Sequence, residues 1–288
     1  MVNKWGLSDD CPVATMETYR KCDTVDVEGK LMRHFIPAML LPFLSLLLSQ
    51  ALLAASLPDV IDQIRGSIVG VGTAYPTRQP NIKGPPTALR ATGFVVGNGR
   101  QIISNAHVIP EKLDWDNNQT LAVFSGRGKT VRVHPARVVK TDEKHDLVLL
   151  EIQGTALPAL TLGDSASVRE GQKIAFTGFP IGAVLGLYPV THRGIVSVIT
   201  PMARTADTAR TLTAIQLEHM RNPFNVFQLD ATAYPGNSGS PVYEPDSGRV
   251  VGVLNSVFIK ESRESVLEKP SGISYAIPVR YVHKLLKE

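Results

Sequence analysis

Between Gly66 and Val279 the chain keeps returning to one local pattern. Short runs rich in Val, Ile and other β-formers are each closed by Gly, Asn, Asp or Pro. They read "GSIVGVGTAY", "GFVVG", "QIISNAHVI", "TLAVFSG", "TVRVHPARVVKTD", "DLVLLEI", "KIAFTGFP", "GIVSVIT", "VFQLDAT", "GSPVYEP", "RVVGVLNSVF" and "SYAIPV". Many short strands with frequent turn signals predict an all-β sandwich or barrel, and they exclude a sheet of alternating strands and helices. Helical spacing is confined to "SLPDVIDQI" at the start and "VRYVHKLLKE" at the end, where Val279, Val282, Leu285 and Leu286 fall on one face. Two polar stretches, Pro201–Pro223 and Lys260–Gly272, interrupt the pattern.

The chain has 288 residues, 43% of them hydrophobic and 19% charged, which suffices for one large domain or two small ones. The formal net charge is +4, but the basic residues are scattered. No basic block or aromatic-interleaved stripe supports nucleic-acid binding.

The N-terminal part reads differently. Phe35–Ala55 holds no charged residue, and its largely apolar part, Phe43–Ala55, ends in "ALLAAS". That suits either the apolar region of a secretory signal with cleavage near Ala54-Ala55-Ser56, or an uncleaved membrane anchor. Before it, Lys4, Arg20, Lys21, Lys30 and Arg33 are outnumbered by Asp9, Asp10, Glu17, Asp23, Asp26 and Glu28. A signal begins with net positive charge, so translation is expected to start at Met32, with residues 1–31 an N-terminal extension that comes from a misassigned start. Residues 32–56 are then the signal or anchor, residues 57–288 the functional domain, and the product is exported. Both cysteines, Cys11 and Cys22, precede that domain, which excludes a Cys nucleophile or a Cys-based zinc site within it.

Three strand ends carry residues of interest. His107 follows the apolar run Gln101–Ser104, Asp146 opens "DLVLLEI", and Ser238 lies in "PGNSGSP". Alone, each has an ordinary reading: a loop histidine, a capping aspartate, a turn serine. Together they supply what acyl transfer by serine needs. A base takes the hydroxyl proton, a carboxylate orients that base, and paired N–H groups of Gly236 and Ser238 face the developing oxyanion. His145, beside Asp146, is a competing base. If the two share a strand they point to opposite faces and do not pair. "PGNSGSP" is not the Gly-x-Ser-x-Gly elbow of another hydrolase fold, because position 240 is serine. "SGRGKT" is not a phosphate loop, since Val123 stands where that loop has its first glycine. No His-Glu-x-x-His occurs, so no metal or other cofactor is expected.

The motifs "ATGFVV", "IISNAHVI", "HDLVLLEI", "GFPIG", "GIVS", "QLDATAYPGNSGSPV", "VVGVLNS" and "GISYAIPV" resemble, in order, a trypsin-like serine protease of the HtrA/Deg type. The resemblance covers residues 64–288. It implies a chymotrypsin-like pair of six-stranded barrels, at about residues 64–165 and 166–278, closed by a short C-terminal helix. It implies His107 as base, Asp146 as its orienter, Ser238 as nucleophile and Gly236 with Ser238 as oxyanion donors. It also implies a protein or peptide substrate, with oligomerisation compatible.

The chain ends at Glu288, just after the terminal helix, so no appended PDZ domain is expected. Asn237 stands where digestive relatives have an aspartate that pairs with a newly cut N-terminus. Activation by such a cut is therefore not expected. Ser240 replaces the usual second glycine, and Tyr234 a frequent asparagine. Thr232 with Asn255, Ser256 and Val257 is expected to line the substrate pocket, which holds no acidic residue and would favour small or medium apolar side chains. The competing readings are a non-catalytic peptide-binding module on the same fold and a specialised esterase or processing hydrolase.

Overall fold

The computed structural model describes residues 55–75, 87–180, 187–202, 222–255 and 272–287. Residues 1–54 lie outside this set, and with them the expected extension, both cysteines and nearly all of the Phe35–Ala55 segment. Among the described residues no helix is long and apolar enough to cross a membrane.

Twelve strands form two closed barrels. The first contains β1 (Ile68–Ala74), β2 (Thr87–Val96), β3 (Gln101–Asn105), β4 (Thr120–Ser125), β5 (Arg132–Asp142) and β6 (Leu147–Ile152). The second contains β7 (Lys173–Gly178), β8 (Val190–Pro201), β9 (Asn225–Asp230), β10 (Pro241–Tyr243), β11 (Val250–Asn255) and β12 (Ile273–Pro278). Neighbour order is β1-β2-β3-β6-β5-β4 in the first and β7-β8-β9-β12-β11-β10 in the second, so one antiparallel topology is used twice. This is the expected double six-stranded barrel.

Alternation along the strands fills three cores. Val69, Val71, Val95, Ile102, Val123, Val148 and Leu150 pack inside the first barrel. Ile174, Phe176, Val196, Phe227, Leu229 and Val251 pack inside the second. A third cluster, with Ile68, Phe94, Ile103, Phe179, Tyr243 and Val253, draws on strands of both barrels and lies between them. Strands such as β1 and β11 serve two cores at once, and every residue of each is buried. That explains why "IVGVGTA" and "VVGVLN" read as continuous apolar runs instead of alternating ones.

Two helices close the unit. In α1 (Leu57–Ile64) the Ser56 N–H and hydroxyl both donate to the Asp59 carboxylate, at 3.2 and 2.5 Å, fixing its first turn. Its Val60 and Ile64 join the core between the barrels. In α2 (Val279–Lys287) Val279, Val282 and Leu285 are buried, the helical face expected from their spacing.

The four residues between β5 and β6 form a turn. His145 therefore departs from strand geometry, and its ring folds back: Nδ1 lies 2.6 Å from Asp142 Oδ2, and its N–H donates to Asp142 Oδ1 at 3.1 Å. The buried ring stacks on Tyr281 of α2, with centroids 3.9 Å apart, and meets Phe224 edge-on at 4.6 Å. Burial alone would raise the Asp142 pKa. The hydrogen bonds from His145 and the charges of His145 and Lys284 outweigh it and hold the carboxyl below its ordinary value. A depressed carboxyl contributes stability above its unfolded pKa, about 3.9, and loses that contribution as pH falls through the lower folded value. Asp142→Asn should therefore lower the urea midpoint at pH 6 and close the gap to wild type below about pH 4. Urea titrations from pH 6 to pH 2 check this; a gap that stays constant across the range contradicts it.

Candidate active site

The site is built from the ends of β3, β6 and β11 and the turn before β10. After Asn105 the chain enters a single helical turn, Ala106–Val108, which presents the His107 side chain at the surface, 29% exposed. Asp146 closes the β5–β6 turn with φ +51°, a left-handed conformation that aspartate tolerates better than most residues. Its carbonyl accepts from the Ala106 N–H at 3.1 Å and from the Asn105 side-chain amide at 3.0 Å. These bonds tie the two segments together independently of the side-chain pair.

Three donors converge on the Asp146 carboxylate. The His107 N–H reaches Oδ1 at 2.9 Å, while His107 Nδ1 and the Asn255 amide each reach Oδ2 at 2.6 Å. A carboxylate only accepts, so in this pairing Nδ1 is the donor, and in the neutral ring Nε2 keeps its lone pair. Asn255, expected as a pocket residue, thus directs its side chain to the carboxylate from the far barrel. No signal in "VVGVLNS" distinguishes these two orientations.

Ser238 lies in the turn Pro235–Ser240. Gly236 there has φ +99° and Gly239 φ +84°. The Asn237 N–H donates to Tyr234 O and the Ser240 N–H to Asn237 O, both at 3.0 Å. Gly239 and Leu254 exchange with this turn: Gly239 N–H donates to Leu254 O, and Leu254 N–H to Ser240 O, both at 2.9 Å. The turn also packs on the first barrel. A Cβ at Gly239 would fall 2.1 Å from Thr92 O and 2.4 Å from Ser104 Oγ, so glycine is required there by contact as well as by φ. Ser104 lies in β3, three residues before His107, so the turn that holds Ser238 packs on the strand that leads to His107.

Sequence reasoning missed Thr92, the fully buried residue at the centre of that contact. Its N–H donates to Ser238 O at 3.0 Å, and its carbonyl accepts from Ser104 Oγ at 2.7 Å. Its hydroxyl donates to Gly236 O at 2.7 Å and accepts from the Phe179 N–H at 2.9 Å. The only advance sign was its place in "ATGFVV".

Ser240 has an ordinary φ, since the only non-glycine residues with positive φ among those described are Asn118 and Asp146. A second glycine is thus not demanded by the turn. Room for the serine comes from across the sheet: a Cβ on Gly178 would fall 2.1 Å from Ser240 Oγ and 2.9 Å from Asn237 Oδ1. Thr232 is half-buried, two residues after β9, and Ser256 and Val257 lie outside the described residues. Among the described residues no group of His, Cys, Asp and Glu could hold a metal.

A model of the trypsin-like peptidase domain matches residues 91–253, more than half of the chain, and the chain belongs to that family. It is 31% identical over 204 residues to the mitochondrial serine protease HTRA2 of Drosophila pseudoobscura pseudoobscura, across 70% of this chain and 40% of that protein. It is 27% identical over 225 residues to a probable periplasmic serine endoprotease, DegP-like, of Halomonas elongata, across 77% of this chain and 40% of that one. The chain therefore spans about two fifths of the length of these curated relatives. Among solved structures, the HtrA-type protease AlgW with a tripeptide shares the fold, with a TM-score of 0.56 at 22% identity over 81% of this chain and 63% of that chain.

Asn237 is fully buried, and neither polar atom of its side chain has a hydrogen-bond partner. An aspartate there would carry an unpaired charge in the same place. Asn237→Asp is expected to destabilise the protein by on the order of 3 kcal/mol or more at pH 8, and by less at pH 5, where the carboxyl can hold its proton. Urea unfolding at the two pH values checks this; unchanged stability at pH 8 would show that a partner cation reaches the position.

Proposed function

We propose that the chain is a serine endopeptidase using Ser238 as nucleophile, His107 as general base and Asp146 as its orienter. The observation that carries this reading is the His107–Asp146 pair, locked by Asn255 and set against the turn that holds Ser238. Ser238 Oγ forms a bond to the scissile carbonyl carbon as its proton passes to His107 Nε2. The N–H groups of Gly236 and Ser238 receive the oxyanion. Breakdown of the tetrahedral intermediate breaks the C–N bond, and His107 returns the proton to the leaving amine. A water then attacks the acyl-enzyme with His107 again as base, which restores Ser238.

The substrate is a protein or peptide, with Thr232 beside the acyl group. Export of the protein, followed by extracytoplasmic processing or quality control, fits Phe35–Ala55 and the periplasmic name of the DegP-like relative. No metal or cofactor takes part in these steps.

Cleavage of a peptide library, read by mass spectrometry, tests the reading. Wild type should give defined products, and Ser238→Ala should give none. Asp146→Asn should lower kcat by about 10⁴ with binding largely kept, because the wrong imidazole tautomer then faces the serine. Products from Ser238→Ala, or a loss of only a few fold in Asp146→Asn, would remove these residues from the mechanism. Binding of peptides without cleavage by wild type would favour a binding module.

A further inference from the structure

Asp146 needs more holding than its two partners in the proposed triad. Its φ of +51° is a left-handed conformation that aspartate adopts at some cost. Its own N–H makes a long bond within the turn, 3.3 Å to Glu143 O. Its carbonyl is fixed by Ala106 and Asn105. On the entering side of the residue stands His145, an imidazole that the steps above do not use.

Both the backbone and the ring of His145 are tied to one carboxylate. Its N–H donates to Asp142 Oδ1 at 3.1 Å and its Nδ1 to Asp142 Oδ2 at 2.6 Å. Asp142 ends β5 and pairs with Leu147, the first residue of β6, so this clamp spans the turn that Asp146 closes. The ring is also held from outside the turn. Tyr281 of α2 stacks on it, with centroids 3.9 Å and planes 20° apart, and Phe224 meets it edge-on at 4.6 Å. Phe224 and Tyr281 meet each other edge-on at 5.4 Å, so three rings from distant segments form a closed group. Tyr281 is itself well anchored. In α2 the Arg280 N–H donates to Ser165 Oγ at 3.1 Å and His283 Nε2 to Gly163 O at 3.0 Å. Val279, Val282 and Leu285 bury in the core between the barrels.

His145 and Asp146 share a peptide bond, so the direction in which Asp146 leaves the turn follows the backbone torsions of His145. The clamp and the stack fix those torsions. The Asp146 carboxylate in turn lies 2.6 Å from both His107 Nδ1 and the Asn255 amide. Contacts that short tolerate little displacement, and a misplacement of about 1 Å can cost on the order of a hundredfold in rate.

We propose that His145 and Tyr281 are positioning residues: their stack holds the β5–β6 turn so that the Asp146 carboxylate meets His107 Nδ1. This rests on the peptidase reading above. Both residues act through Asp146, and the His145 ring, committed to Asp142, is not an alternative base.

The test separates the stack from general stability. Tyr281→Ala removes the plate and Tyr281→Phe keeps it. His145→Asn keeps a side-chain N–H for Asp142 without the ring. Val282→Ala removes core packing from the same helix and leaves both stacked residues in place. With a cleavable peptide, Tyr281→Ala and His145→Asn should lower kcat at least about tenfold, with KM within about twofold of wild type. Tyr281→Phe should hold kcat within about twofold of wild type. Val282→Ala should do the same, although it lowers the urea midpoint. A kcat within about threefold of wild type in Tyr281→Ala, or an equal loss in Val282→Ala, overturns the proposal. The same limits apply to His145→Asn, which decides the matter should Tyr281→Ala fail to fold.

A second arm needs no catalysis. The ¹⁵N resonance of His107 Nδ1, assigned by its absence in His107→Ala, reports the hydrogen bond to Asp146. It should shift in Tyr281→Ala and His145→Asn towards the value of a ring free of the carboxylate, and stay in place in Tyr281→Phe. That pattern supports the proposal even if the chain cleaves no peptide. An unchanged resonance in Tyr281→Ala and His145→Asn overturns it even if the enzyme cleaves.

Discussion

The site depends on one threonine that bridges two barrels. Thr92 belongs to the first barrel, and through its backbone and hydroxyl it holds both the Ser238 and Gly236 carbonyls of the second. Its carbonyl is held in turn by Ser104, close to His107 along the chain. Each barrel can close and fill its own core without this residue. Across the barrels Thr92 holds the Ser238 and Gly236 carbonyls of this turn, while Asn237, Gly239 and Ser240 make their backbone bonds to Tyr234, Leu254 and Asn237 of the second barrel. Asn255 makes the reciprocal connection, reaching from the second barrel to the Asp146 carboxylate of the first. These polar crossings, set beside the apolar core shared by the two barrels, fix how the Ser238 turn and the His107–Asp146 pair face each other.

The barrel strands were legible because β-branched runs and turn residues act locally. The repeat of one topology was not legible. The interior of a closed barrel asks only for apolar volume, so "IVGVGTA" and "KIAFTG" fill equivalent places with no shared pattern. Continuous burial in β1 and β11 also hides the two-residue period that marks a strand with one solvent face.

The candidate site was partly legible for a related reason. His107, Asp146 and Ser238 stand in short motifs, and Gly236 and Gly239 announce backbone conformations that few other residues adopt. What could not be read are the contacts between distant residues. Thr92 meets Gly236 across 144 positions, and Asn255 meets Asp146 across 109. His145 and Asp146 do part company, but a turn directs them, not strand alternation, and the ring of His145 is committed to Asp142 and Tyr281. Ser240 looked like a missing glycine. It is accommodated by Gly178, a residue whose relevance only the folded chain reveals.

The bridge and the nucleophile can be tested together by reaction with a fluorophosphonate, followed by intact mass and peptide mapping. The account predicts a single adduct on Ser238, formed at least about tenfold more slowly in Thr92→Val, because the Gly236 carbonyl is released and the oxyanion donors lose their alignment. An adduct on another residue, no adduct in wild type, or a Thr92→Val variant that reacts at the wild-type rate would contradict it.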